Sequence, residues 1–147
     1  MEPIIKLNFL AIGIAVLASF LLGFIWYSFL FNKSWQKEMG YTERMQVSKG
    51  QMVRSLLLNL VGTFLMVFVF SHNIAAWNPS TWGHTEQFMS PAGAAFSSAM
   101  FTWLGFYVPQ DFNKISFQMR SWKLFFIDTS YNLASLLLAA FILVFMG

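Results

Sequence analysis

Long apolar stretches alternate with short polar ones along this chain, and the stretches are too long for the core of a water-soluble domain. Four runs stand out, residues 7–31, 55–76, 91–108 and 124–146. A bilayer core of ~30 Å takes about 20 helical residues, so each run has the length and composition of a membrane-crossing helix. Within all four, the sole Asp, Glu, Lys or Arg is Asp128. The pattern therefore predicts an all-α fold, an integral membrane bundle of four transmembrane helices in one domain over residues 1–147. The longest gap between runs, residues 32–54, is too short for an independent fold.

Composition agrees with the pattern. Hydrophobic residues make up 57% of the chain and charged residues 10%, against roughly 25% charge in an ordinary soluble domain. The first run continues into Trp26 and Tyr27 without a small-residue cleavage signal, so it reads as a retained span rather than a secretion signal. With no cysteine, thiolate metal sites, iron–sulfur clusters and cysteine nucleophiles are excluded.

The basic residues assign an orientation. Lys33, Lys37, Arg44, Lys49 and Arg54 lie between runs one and two, and Lys114, Arg120 and Lys123 between three and four, leaving only Lys6 elsewhere. The positive-inside rule places those two connections in the cytoplasm and both termini outside, in a cell membrane, the inner one in a bacterium. The cytoplasmic connections look structured. Ser34 is a candidate cap for a short helix ended by Gly40, Thr42 and Glu43 open a helix feeding the second run, and Phe112, Phe117 and Trp122 alternate with basic residues. On the outer side, Ser90 before Pro91 is a helix-start signal.

The two halves resemble one another. Leu22, Gly23 and Phe24, followed by Phe31, Asn32, Lys33 and Ser34, parallel Leu104, Gly105 and Phe106, followed by Phe112, Asn113, Lys114 and Ser116. Beyond them, Arg54 precedes Asn59 by five positions, as Lys123 precedes Asp128. A parallel repeat of two helical hairpins accounts for this, and it makes Asn59 and Asp128 counterparts. Common span-end composition accounts for it as well.

Small and polar residues mark the packing faces of helices in lipid. The first run carries the stripe Ala11, Ala15, Ser19 and Gly23, leading to Tyr27, as a helix-contact face. Helical spacing also groups Asn59, Gly62, Thr63 and Met66 in the second run, Ala94, Ser98, Thr102 and Gly105 in the third, and Asp128, Tyr131, Asn132, Ser135 and Ala139 in the fourth. Asp128 and Asn59 fall about 7 Å inside the cytoplasmic span ends. The candidate site is thus an intramembrane polar cluster of Tyr27, Asn59, Thr102, Asp128 and Asn132. Asp128 is either an ion or proton ligand or an anchor paired with Arg54 or Lys123, because intramembrane carboxylates serve both ends. His72, His84 and Glu86 lack a further ligand for a metal site. No phosphate loop, nucleophile motif or carboxylate pair is present, so neither an enzyme nor a cofactor is expected.

Trp26, Tyr27 and Ser28 after Gly23, Lys33 with Trp35, Trp103 to Phe106, and Trp122, Lys123 and Leu124 leading to Tyr131 and Asn132 together resemble the bacterial membrane family known as domain of unknown function 1761. The resemblance spans nearly the whole chain. It implies a small four-span protein and brings no activity or binding residue with it. The family's usual proline after Trp-Tyr-Ser is Phe29 here, which removes the residue expected to kink the first helix. The functional expectation is an oligomeric channel or transporter-like protein for an ion or small solute, with a non-transporting assembly or accessory subunit as the alternative. Expected partners are membrane lipid, further copies of the chain and an unidentified membrane protein, with no nucleic acid.

Overall fold

The computed structural model describes residues 2–40 and 48–147, and they are helical with no strand among them. Six α-helices follow in order: α1 (Phe9–Ile25), α2 (Asn32–Glu38), α3 (Lys49–Trp77), α4 (Pro91–Thr102), α5 (Val108–Ser116) and α6 (Trp122–Met146). Three segments are long and apolar enough to cross a membrane: Phe9–Leu30, Lys49–Trp77 and Trp122–Met146. The third apolar run takes a different form. It is divided between α4 and a five-residue π turn, Trp103–Tyr107, which passes directly into α5.

Local chemistry sets the ends of these elements. Asn8 caps α1 by accepting from the Ala11 N–H at 3.1 Å, while its Nδ2 donates to the Met146 carbonyl at 2.7 Å, which joins the start of α1 to the end of α6. Ser48 and Gln51 form a reciprocal capping box at the start of α3. Ser90 caps α4, with Pro91 in its first turn where a missing N–H costs nothing. Gly40 follows α2 at φ 81°, a left-handed conformation that glycine adopts without a Cβ penalty. Ser34 lies inside α2, which begins at Asn32, so it is not that helix's cap. The helix start expected at Thr42 and Glu43 lies outside the described residues.

The chain also forms a π turn at Trp26–Leu30, closed by the Phe31 N–H on the Trp26 carbonyl at 2.9 Å. Phe29 sits within it, so this departure from regular α-helix needs no proline.

α6 is the central helix, packed against α1, α3, α4 and α5. The apolar core occupies the half of the bundle where the N-terminal halves of α1 and α4 meet the C-terminal halves of α3 and α6. Ala11, Ile12, Ala15, Val16, Val67, Phe70, Ala95, Ala99, Leu136, Ala139, Ala140 and Leu143 are buried there. Six of these are alanines, and side chains this small let helix axes approach closely where lipid offers no hydrophobic drive for association. Ala11, Ala15 and Ser19 are each fully buried, and a Cβ added at Gly23 would stand 2.7 Å from the Tyr131 hydroxyl. The stripe on α1 is therefore consumed inside the protomer.

At the opposite end of the bundle polar and aromatic groups replace the alanines.

Candidate functional site

Two tryptophans grip α6 at that end. The Trp26 indole, at the start of the first π turn, donates to the Ile127 carbonyl at 3.2 Å. The Trp103 indole, at the start of the second, donates to the Thr129 carbonyl at 2.9 Å. Asp128 lies between these two carbonyls in sequence. Both indole N–H groups point to helix backbone.

Around Asp128 lies a closed set of hydrogen bonds. Tyr27 Oη, from the first π turn, donates to Asp128 Oδ1 at 2.6 Å. Lys114 Nζ, from α5, reaches Asp128 Oδ2 at 2.9 Å and Asp111 Oδ1 at 3.1 Å. Asn132 Nδ2, one turn along α6, donates to Asp111 Oδ2 at 3.0 Å. Each of the four carboxylate oxygens thus has one donor. Asp111 is 5% exposed, while the side chains of Asp128 and Lys114 retain 14% and 28% of their surface. Tyr27 is held from both sides, its ring meeting Tyr131 and Trp35 edge-on at 5.2 and 5.7 Å.

The structure brings together three of the five residues proposed from sequence, Tyr27, Asp128 and Asn132. Thr102 is half-buried on α4 and takes no part in the hydrogen bonds. Asn59 is exposed on α3, away from the cluster. Asp128 pairs with Lys114, not with Arg54 or Lys123, because the second π turn carries the helix on through α5 and returns Lys114 toward α6. His72 Nδ1 is bonded to the Phe68 carbonyl at 2.8 Å.

Asp111 and Lys114 were the residues hidden from sequence reading. Both fall beyond residue 108, where the third apolar run stops, in a stretch that resembles an interfacial loop. Their i, i+3 spacing was the available signal, since it places opposite charges on one helix face opposite the lone intramembrane acid. Lys114 thus lies between two carboxylates, Asp128 Oδ2 at 2.9 Å and Asp111 Oδ1 at 3.1 Å.

A family model described as Protein of unknown function (DUF1761) matches residues 10–144. The chain belongs to that family. The match runs from the start of α1 to the end of α6 and so includes every residue of the DUF1761 polar cluster. No curated protein and no solved structure matches the chain.

Proposed function

We propose that this DUF1761 protein is a small multi-pass membrane protein whose Asp111–Lys114–Asp128 cluster takes up a proton or monovalent cation during transport. In this reading the helical run 91–116 supplies a fourth crossing, both termini face outward, and the cluster lies near the cytoplasmic surface.

One observation carries the reading. Two carboxylates share a single ammonium, at 2.9 and 3.1 Å, in largely enclosed surroundings. The three groups carry a formal charge of −1, so one proton or one monovalent cation neutralises them. An ion arriving at Asp128 competes with Lys114 for Oδ2 and with Tyr27 for Oδ1. The lysine then remains with Asp111, and α5 is freed from α6 at one of its two ties. Ion occupancy and helix position are coupled in this way, as transport requires.

The test is potential-driven flux of H⁺, Na⁺ and K⁺ in liposomes, comparing the native chain with Asp128→Asn and Asp111→Asn. The expected result is native flux that falls at least tenfold in both variants while elution size and helicity stay unchanged. No flux from correctly inserted native protein sinks the transport reading.

A second reading rests on the same bonds. The cluster joins the first π turn, α5 and α6, and it therefore also suits a non-transporting assembly or accessory subunit. That reading predicts lower melting temperature and lost partner capture in Asp128→Asn, with no flux to lose.

A further inference from the structure

α3 packs on the bundle only through its C-terminal half. Val67 and Phe70 are buried and Thr63 and Met66 half-buried, while every residue in 49–62 is exposed. The pattern that packs does not stop where the packing stops. Met52, Leu56, Asn59, Thr63, Met66 and Phe70 recur at alternating intervals of four and three, the spacing of a single helix seam. Its upper half meets the core and its lower half is exposed.

Asn59 sits in the middle of this seam. Its backbone carbonyl accepts from Thr63 Oγ1 at 2.8 Å, but its carboxamide makes no hydrogen bond among the described residues. The sole charged residue in 50–71, Arg54, points about 140° away around the helix. Thr63 spends its hydroxyl proton on its own helix, so the Asn59 carboxamide is the one polar side-chain group of the seam without a hydrogen bond among the described residues.

We propose that the N-terminal half of α3 pairs in parallel with α3 of a second copy, the two Asn59 carboxamides bonding across a twofold axis. A carboxamide is complementary to itself under that symmetry, since the N–H of each meets the C=O of the other. Copies inserted in the same sense hold their Asn59 residues at equal depth, and one Asn in a four–three seam is a device that fixes register and copy number between like helices. A lipid chain has no donor or acceptor for this group. The proposal rests on α3 crossing a bilayer and not on the ion cluster, so its failure leaves the transport reading standing.

The natural absence of cysteine gives a clean experiment. Single variants Met52→Cys and Leu56→Cys on the seam, and Leu57→Cys and Val61→Cys on the back of the helix, are oxidised in vesicles. The expected result is covalent dimer from the seam positions at several times the yield from the back. Equal yields, a preference for the back, or no dimer from inserted protein overturns the proposal. In a fluorescence-transfer titration, Asn59→Leu weakens self-association by about 3- to 15-fold, whereas Asn59→Gln, which keeps donor and acceptor, retains most of it. Unchanged affinity in Asn59→Leu overturns the role of Asn59. All five positions are exposed in the protomer, so thermal melting of the isolated protomer stays at the native value and separates lost pairing from misfolding.

Discussion

At the scale of single residues, the cluster's stability depends on the lysine. Lys114→Met leaves Asp111 and Asp128 facing one another with no shared cation. Loss of one partner from a fully buried pair costs roughly 3–5 kcal/mol, and the partial exposure of Lys114 reduces this to about 1–3 kcal/mol. The melting temperature of Lys114→Met should therefore fall below that of the native protein. Ser19 makes the opposite case. Its hydroxyl is fully buried with no hydrogen-bond partner among the described residues, so Ser19→Ala should leave melting unchanged or raise stability by up to about 1 kcal/mol. Of these residues, Asp128 announced itself by being the one charge in an apolar run. Lys114 did not, because basic residues at span ends are commonplace and only the path of the chain selects this one.

At the scale of elements, the three long helices were legible from run length, and Ser90 with Pro91 marked the start of α4 within one residue. The π turns were not legible. A π turn adds a residue to a helical circuit without changing the apolar pattern, and neither Trp26–Leu30 nor Trp103–Tyr107 contains a proline or a charge. Their effect on the cluster is large all the same. One residue corresponds to about 100° of rotation, so deleting Phe29 and closing the turn to regular helix swings α2 relative to α1 and takes Trp35 away from the Tyr27 ring that it holds toward Asp128. Melting temperature should fall in that deletion, and under the proposed transport reading flux should fall with it, whereas Phe29→Leu should leave both near native. Loss of neither in the deletion would show that the wide turn is incidental.

At the scale of the whole molecule, the element order repeats, with a helix, a π turn, a short helix and a long helix in each half. Aligning the π turns, Trp26 with Trp103, sets Ser34 against Asp111 and Lys37 against Lys114, in place of the pairing of Lys33 with Lys114 read from sequence. The second half has both carboxylates and its short helix is tied to α6. The first half has the lysine but neither acid, and the start of α3 stands clear of the bundle. Chemistry thus accounts for the asymmetry between similar halves. The proposed orientation follows from charge alone and is open to direct test. Thr85→Cys should react with a membrane-impermeant thiol reagent from outside intact cells, and Ser116→Cys only after permeabilisation. The reverse pattern would invert the topology.

The bond from Asn8 to the Met146 carbonyl has a consequence for how the chain could be rearranged. It holds the two ends of the bundle within one side-chain length of each other, on the same side as the exposed connection that contains Gly83 and Phe88. Chain order and spatial order are therefore separable. A circular permutant that links the present ends by a short flexible peptide and opens in that connection would synthesise α4 to α6 first and α1 to α3 second, with every helix entering the membrane in its original sense.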